Sequence, residues 1–359
     1  MRLIAVGCVV AALAGCLPQD KITDMRPDEP AFRIVLPDGP KPWEKTAAEE
    51  LDHYLRLCLG ENRMTVEGKD AVVFHVGDTE FAINHGIHRI HGIGDEEAWC
   101  MKSFGRNVVL TGGGTRGTPY AVYHFLEDEC GVRWWGDGNE DVPAAKPLKF
   151  GVLDRRGKPF FECRNIYRSY PEEGKPDPRT AARNRLNDNG NSPIPLTYGG
   201  SFTSGPPHLA HTWDHYLPFK KYGKEHPEWY SLWEGERIGG DHQGQLCLTC
   251  PGLAEEFAKR LEDYIAKGAA DAAAKGFAAP RIYDISQNDG TMKFCTCETC
   301  KAERAKCGHT GLMLKFVNEA VAKAAKAHPD LLFSTLAYHH TEPVPSNGVV
   351  AAGNVIVGI

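Results

Sequence analysis

The sequence lacks an excess of basic charge. Its 359 residues include 41 Lys and Arg against 47 Asp and Glu, which gives a formal net charge of −6 at pH 7. A nucleic-acid-binding surface usually needs a basic patch or stripe, and neither pattern is present here. We therefore expect no nucleic-acid partner. The hydrophobic fraction of 42% and the charged fraction of 25% are typical of a globular chain.

Long hydrophobic runs are also missing. The one marked apolar run, residues 3–14, is too short to span a bilayer, which takes about 20 residues. Arg2 precedes this run. The run ends in Leu-Ala-Gly-Cys at residues 13–16, which resembles a bacterial lipoprotein cleavage site. We predict a signal peptide over residues 1–16 and lipidation of Cys16; a plain signal peptide is the alternative. Either way, the protein is exported, and the lipoprotein form is anchored in the bacterial cell envelope, on its periplasmic side or at the cell surface.

The remaining chain divides by pattern. Residues 17–30 are polar and contain three prolines, which indicates a tether. Residues 31–154 predict a small α/β domain with two amphipathic helices. In residues 155–359, apolar strands alternate with amphipathic helices, which indicates a parallel sheet. Strand-like runs occupy 160–167, 194–198, 228–233, 245–249, 282–286, 332–338 and 354–359.

The fold class is therefore α/β, with a small α+β domain followed by a (β/α)8 TIM-type barrel. A barrel needs eight strand–helix units. The sequence stops on the strand-like residues 354–359, with no covering helix. We expect the barrel to be incomplete within this sequence.

Residues 281–300 carry the clearest chemical signal. A short apolar strand leads into Gln287-Asn288-Asp289-Gly290, and three cysteines follow at once. Active sites of β/α barrels lie at the carboxyl ends of the strands. Asp289 is therefore the candidate general acid of a hydrolase; the alternative is that it caps the turn. Glycoside hydrolysis usually needs a second carboxyl group.

The second carboxyl group is not identified by the sequence. Glu228, Asp214 and Glu342 are near the same predicted face, and the partner could also lie outside this sequence. Sugars are held by aromatic rings and by polar side chains such as Arg, Asn and His. Candidates of this kind recur at successive predicted strand ends: Arg164, Asn165, Tyr198, His211, Asn288, Tyr338 and His339.

The cysteines that follow Asp289 form a C-x-C-x-x-C motif. Cys295, Cys297 and Cys300, joined by Cys247 from the preceding loop, could hold a structural zinc ion as four thiolates. Export favours disulfides among the same residues instead. A redox centre is a third interpretation. No cofactor is required for the predicted chemistry.

The run Gly112-Gly-Gly-Thr-Arg-Gly117 fits the G-x-G-x-x-G pattern between a predicted strand and helix, and Asp137 follows at the spacing of a ribose-binding acid. Dinucleotide binding is thus an alternative function. The competing interpretation is a tight glycine turn into a helix.

Two groups of segments resemble known families. Residues 47–55, 111–126 and 131–135 look like the small domain that precedes the barrel in α-glucuronidases and β-hexosaminidases. The segments 226–229, 245–248, 286–290, 295–300 and 336–338 resemble the DUF4838 family of exported proteins. This resemblance implies a hexosaminidase domain-2-like domain and a glycoside-hydrolase-type barrel. Hexosaminidases use an Asp-Glu pair where this chain has Asp289-Gly290, so their mechanism is not implied.

These observations lead to one functional prediction with one alternative. The chain is predicted to be a glycoside hydrolase-like enzyme that acts on an oligosaccharide or glycan at the cell envelope. The alternative is a carbohydrate-binding lipoprotein that performs no catalysis. Its predicted partners are a carbohydrate and, through the lipid anchor, the membrane.

Overall fold

The computed structural model describes residues 23–25, 32–60, 72–87, 97–136, 138–143, 148–166, 177–188, 194–201, 204–207, 210–274, 279–290 and 293–359. Contacts divide the chain into two compact units, residues 1–201 and 202–359. The predicted signal peptide with Cys16 lies outside the described residues, as does Asp137. No helix of the described part is both long and apolar enough to cross a membrane.

The first unit is an α/β domain. Its strands are β1 (Thr23–Met25), β2 (Phe32–Val35), β3 (Val72–Val76), β4 (Trp99–Phe104), β5 (Asn107–Gly112), β6 (Arg133–Gly136), β7 (Asn139–Asp141), β8 (Leu148–Phe150) and β9 (Asp154–Gly157). Its helices are α1 (Pro42–Leu59), α2 (Glu80–Asn84), α3 (Gly117–Asp128) and α4 (Pro178–Arg183).

A five-stranded mixed sheet forms the centre of this unit, in the order β2-β3-β5-β4-β9. β2, β3 and β5 run parallel, whereas β4 and β9 are antiparallel to their neighbours. Helices α1 and α3 pack together with the sheet in one hydrophobic core. The predicted stripe of α1 supplies part of that core, because Leu51, Tyr54 and Leu55 are fully buried. The predicted helix boundaries also hold, with Pro42 at the start of α1 and Gly60 just after its end.

The division between the units falls later than the sequence pattern places it. The sequence indicates a boundary between residues 154 and 155, whereas the contacts place it after Ser201. Strand β9 extends the sheet of the first unit by pairing with β4. Further along, the Arg183 guanidinium lies 2.7 Å from the Glu50 carboxylate of α1. Strand pairing and this ion pair therefore tie β9 and α4 to the first unit.

The second unit contains a parallel sheet. Its strands are β10 (Ser231–Trp233), β11 (Glu236–Ile238), β12 (Ile282–Asp284), β13 (Leu332–Leu336) and β14 (Val355–Gly358), and its helices are α5 (Trp213–Tyr216), α6 (Phe219–Tyr222), α7 (Leu253–Ala274) and α8 (Glu298–Ala327). Strands β12, β13 and β14 pair in parallel, and β10 and β11 form a hairpin. Helix α8 connects β12 to β13, which is the predicted β/α arrangement.

The parallel sheet is open in the described part of the chain, and it has fewer strands than the pattern predicts. The predicted strand at 245–249 forms only a single bridge, from Leu246 to Tyr230. At 194–198 the chain turns into a short 3-10 helix, Leu196–Tyr198, directly after Pro195. The described part of 160–167 is not a strand either, and Phe160 is 93% exposed. Apolar content alone misled the prediction, because these runs are too short to distinguish a strand from a turn.

The glycines of the G-x-G-x-x-G run have a packing role. A Cβ atom on Gly112 would overlap with backbone atoms of Gly117 and Ala98, and a Cβ atom on Gly117 would overlap with the same segments. The end of β5, the start of α3 and the chain before β4 therefore approach one another at backbone distance. This close approach accounts for both glycines as a tight turn, without a bound dinucleotide.

We predict that Gly112→Ala destabilises the first unit strongly. The added methyl group meets backbone atoms that cannot rotate away, and overpacking of this kind costs about 1–3 kcal/mol or more. Urea unfolding monitored by circular dichroism measures the loss. Gly151→Ala is the matched control, because nothing lies within 4 Å of a Cβ atom at that position. Equal stability of the two variants would contradict the packing role.

Candidate functional site

The loop that follows β12 is held by a buried carboxylate. Asp284 is 1% exposed, and its Oδ1 atom accepts hydrogen bonds from the Ser286 backbone N–H at 3.0 Å and from the Thr212 hydroxyl at 3.1 Å. Its Oδ2 atom accepts a hydrogen bond from Ser334 of β13 at 2.9 Å. Burial raises the pKa of Asp284, although these hydrogen bonds oppose the shift. The network fixes the chain at the carboxyl end of β12 and ties it to the middle of β13.

Asn288 holds the loop from the other side. Its side-chain oxygen accepts a hydrogen bond from the Asp214 backbone N–H at 2.8 Å. Its side-chain NH2 group donates a hydrogen bond to the Gly244 carbonyl oxygen, also at 2.8 Å. The Gln245 side chain also bonds both the N–H and the C=O of Asn288, at 3.0 and 2.9 Å. Asn288 is only 2% exposed. We therefore reassign Asn288 from sugar binding to loop positioning.

Asp289 comes next in the chain, and its carboxylate is partly exposed, at 34%. Its Oδ1 atom accepts hydrogen bonds from the Tyr338 hydroxyl at 2.9 Å and from the Gly290 N–H at 2.7 Å. The pKa of Asp289 is lowered: partial burial would raise it, but the bonds from Tyr338 and Gly290 and the nearby His211 and His242 rings outweigh that effect. Asp289 is thus ionised at neutral pH and is poorly suited to donate a proton.

Three predicted sugar-binding residues gather at this carboxylate. The His211 Nε2 atom lies 3.7 Å from Asp289 Oδ1. Its Nδ1 atom is 2.9 Å from the Gln287 carbonyl oxygen. Because a carbonyl oxygen can only accept a hydrogen bond, Nδ1 carries the proton. Tyr338 packs against His211 with ring centroids 5.2 Å apart, and the His339 ring lies tilted against Tyr338 with centroids 4.0 Å apart. The hydrogen bond to Asp289 raises the pKa of Tyr338, with a smaller contribution from burial.

A cleft of about 400 Å³ adjoins this cluster. Asp241 links the two, because it lines the cleft and its Oδ1 atom accepts the Asp289 backbone N–H at 3.1 Å. The remaining lining residues combine one aromatic ring with several charged and polar groups: Asp214, Phe219, Lys220, Arg237, Ile238, Gly239, Gly240, Gln243 and Lys293.

The sequence pattern identifies only some of the residues that line this cleft. Asp214 was among the candidates for the second carboxyl group, and it does line the cleft; Glu228 and Glu342 do not. Glu228 pairs with His226 at 3.2 Å on the surface. Asp241 was missed, although the glycines on either side of it, Gly240 and Gly244, are a sign of a functional turn between two extended segments.

The other predicted sugar ligands belong to the first unit. The Arg164 guanidinium bonds both oxygens of Glu97, at 2.9 and 2.7 Å. Asn165 donates to Asp188 at 3.2 Å, and Tyr198 packs against the core that contains α1 and α3. The contacts of Arg164 and Asn165 therefore identify them as structural residues. Their position at apparent strand ends in the sequence depended on strands that do not form.

The four predicted cysteines do come together. The sulfurs of Cys247, Cys295, Cys297 and Cys300 all lie within 4.8 Å of one another, and all four residues are free thiols. Cys247 and Cys295 are 3.5 Å apart, which is far longer than a disulfide of about 2.05 Å. Hydrogen bonds from the Cys247 and Cys300 thiols lower the pKa of Cys295. This cluster has the donor number and softness to hold a metal ion.

The fold and the site together define an α/β protein with a polar cluster at the carboxyl edge of a parallel sheet and a cleft whose Asp241 contacts the Asp289 backbone. The chain belongs to the DUF4838 family: residues 134–359, well over half of the sequence, match the family described as "Domain of unknown function (DUF4838)". No curated protein matches the chain.

Solved structures with similar folds include glycoside hydrolases. A GH115 4-O-methyl-α-glucuronidase, BtGH115A, is 14% identical, with a TM-score of 0.49 over 93% of this chain and 45% of its own. The Flavobacterium johnsoniae chitobiase FjGH20 is 11% identical, with a TM-score of 0.45 over 94% of this chain and 52% of its own. The chain thus spans about half the length of these structures. Similarity at this level does not carry their activities to this protein.

We predict that Glu97→Gln destabilises the protein by about 3–5 kcal/mol at neutral pH. The Glu97 side chain is 13% exposed and pairs with Arg116 and Arg164, so the substitution leaves buried guanidinium groups without a counter-charge. Denaturant unfolding measures the loss, and Glu49→Gln, on the exposed face of α1, is the control.

The difference in stability between wild type and Glu97→Gln should also depend on pH. The pKa of Glu97 is lowered from 4.5: burial would raise it, and the bonds from Arg164 and the charge of Arg116 outweigh burial. The ion pairs therefore stabilise the fold fully above the unfolded-state pKa and are lost as pH falls through the lower folded-state pKa. The stability gap between wild type and Glu97→Gln should narrow below about pH 4.5. A gap that is independent of pH would contradict this role.

Proposed function

We propose that this protein is a glycoside hydrolase-like enzyme that acts on an oligosaccharide or glycan in the bacterial cell envelope. The observation that carries the proposal is the Asp289–Tyr338–His211 cluster at the carboxyl edge of parallel strands, joined through Asp241 to a cleft of about 400 Å³. That volume is within the usual range for small-ligand sites. The proposed chemistry needs side-chain groups only.

The charge state of Asp289 revises the role expected from the sequence. A lowered pKa keeps the carboxylate ionised at neutral pH, so it suits a general base, a nucleophile or a group that stabilises the oxocarbenium-like transition state. The general acid must then be another group. Among the described residues that line the cleft, Asp214 and Asp241 carry carboxyl groups, and we propose that one of them is the second carboxyl group of the site.

Carbohydrate binding without catalysis is the second candidate. Tyr338 and His339 form a tilted ring pair with centroids 4.0 Å apart and planes inclined by 57°, and His339 is exposed. An exposed aromatic pair of this kind is a suitable platform for a sugar ring whether or not hydrolysis follows. The two functions share the same ligand class and differ only in whether a glycosidic bond is broken.

We further propose that Cys16 is lipidated and anchors the protein in the envelope membrane. The support is the sequence alone: a charged start, a short apolar run and the Leu-Ala-Gly-Cys segment that ends at residue 16. One lipidated residue followed by a polar tether would place the two units at the membrane surface with access to envelope glycans.

Asp289→Asn is expected to reduce the release of reducing sugar from a glycan panel by about 100-fold or more, because the ionised carboxylate acts on the reacting centre. Glycan affinity, measured by isothermal titration, should fall much less. Asp330→Asn is the matched control. This exposed aspartate precedes β13, so it lies at the opposite end of that strand from Tyr338 and from the Asp289 cluster.

Two outcomes decide between the candidates. Wild-type hydrolysis that is lost in Asp289→Asn but retained in Asp330→Asn supports the enzyme. Glycan binding by wild type, with no product released from any member of the panel, would replace the enzyme with the binding protein.

The Cys16→Ser variant tests the anchor. In a bacterial host that processes lipoproteins, wild type should be found in the membrane fraction and incorporate labelled palmitate. The variant should lose the label and move to the soluble exported fraction, because it has no thiol to acylate. Cys8→Ser, within the same apolar run, is the control. Unlabelled wild-type protein in the soluble fraction would contradict the proposal.

A further inference from the structure

The four sulfurs of Cys247, Cys295, Cys297 and Cys300 are arranged as a closed coordination site. Cys247 lies 3.5, 3.8 and 3.9 Å from Cys295, Cys297 and Cys300. Four thiolates at about 2.3 Å from a central zinc ion form a tetrahedron with edges of about 3.8 Å. We propose that these four cysteines bind one zinc ion as a structural tetrathiolate site.

Backbone N–H groups already point at the sulfurs. The Leu232 N–H donates to Cys295 Sγ at 3.3 Å, and the Cys300 N–H donates to Cys297 Sγ at 3.5 Å. The Thr249 hydroxyl lies 3.1 Å from Cys300 Sγ. Hydrogen bonds of this type spread the charge of a metal-bound thiolate and fix its orientation.

The charge balance also fits a metal. Four thiolates with one Zn²⁺ carry a net charge of −2, which needs nearby positive charge when it is largely buried. Arg237 of β11 is the cation beside the cluster, because its guanidinium interacts electrostatically with the Cys247, Cys295 and Cys297 sulfurs. Cys247, Cys295 and Cys300 are 4%, 2% and 1% exposed, so the site is closed to substrate. A closed site with four protein ligands is structural and not catalytic.

The remaining cysteines of this region stand apart from the four. Cys250 Sγ faces the carbonyl of Pro251, and Cys307 Sγ faces the carbonyl of Glu303 at 3.2 Å. A disulfide framework would use the thiols in pairs, whereas here one sulfur has three near neighbours at similar distances. That arrangement is the one a single tetrahedral ion needs.

The metal would connect the parts that form the cleft. Cys295 and Thr296 bond the backbone of Leu232 in β10, and Arg237 and Ile238 of the paired strand β11 line the cleft. Cys297 caps the start of α8, which follows the Asp289 loop. A zinc ion would therefore hold the hairpin, the cleft wall and the helix start in one rigid unit.

Metal analysis of the full chain, purified without chelator or added metal, tests the site. Elemental mass spectrometry should give one zinc ion per chain. Titration with p-hydroxymercuribenzoate should release that ion as four thiols react, which a metal dye detects. Replacement by Co²⁺ should produce the intense near-ultraviolet thiolate-to-cobalt absorption of a tetrahedral tetrathiolate site. None of these measurements depends on hydrolysis, so their outcome is independent of the proposed function.

Variants assign the ligands. Cys295→Ser should retain less than a tenth of the zinc, while Cys250→Ser, a neighbouring cysteine outside the cluster, should retain one ion per chain. If Cys295→Ser does not fold, the thiol titration of wild type still decides the question. Wild-type protein with no metal and with disulfides among these cysteines, found by mass spectrometry of unreduced peptides, would overturn the proposal. Stoichiometric iron in place of zinc would overturn it as well.

Discussion

The buried carboxylate of Asp284 is the group on which the geometry of the second unit depends. It is 1% exposed and accepts hydrogen bonds from Ser286, Thr212 and Ser334, which lie on three separate segments of the chain. Burying a carboxyl group costs free energy unless its oxygens are hydrogen-bonded, and the raised pKa of Asp284 reflects that cost. Because these donors satisfy it, β12, β13 and the segment before α5 are held in one arrangement, and the loop that presents Asp289 starts from a fixed point.

The two aspartates of this strand and its loop illustrate how environment separates the roles of identical groups. Asp284 is buried, and its pKa is raised, whereas Asp289 is partly exposed to solvent, accepts a hydroxyl and an N–H, and has a lowered pKa. Groups with pKa values displaced in opposite directions are often assigned opposite tasks in enzymes. Here the buried member is enclosed by protein donors and acts on the backbone. The partly exposed member, Asp289, is the one that faces the His211 and Tyr338 rings.

Much of this arrangement was predictable because it depends on local pattern. Apolar periodicity and motif spacing predict three of the parallel strands, the helices α1, α3 and α7, and the four-cysteine cluster. The asparagine next to Asp289 was misassigned, since no local rule reveals that the Gln245 amide binds its backbone across a sequence separation of 43. Arg164 was misassigned for the same reason, because its partner Glu97 lies 67 residues away. Long-range pairing of polar groups leaves no periodic trace in a sequence.

The cysteine cluster forms a small hydrophobic core of its own in the second unit. Its buried members are Cys247, Cys295, Cys300, Cys307 and Leu312, and the partly buried Leu232, Leu248 and Val349 pack against them. Four small thiols bury less apolar area than four aliphatic side chains would, so the hydrophobic effect contributes less there than in a core of aliphatic residues. Gly308, with φ of 77°, interrupts α8 directly after Cys307, so the first turns of that helix are not continuous with the part that packs on the larger core of this unit. A bound metal ion contributes its binding free energy directly to folding. It would therefore stabilise the contact between the β10–β11 hairpin and the start of α8.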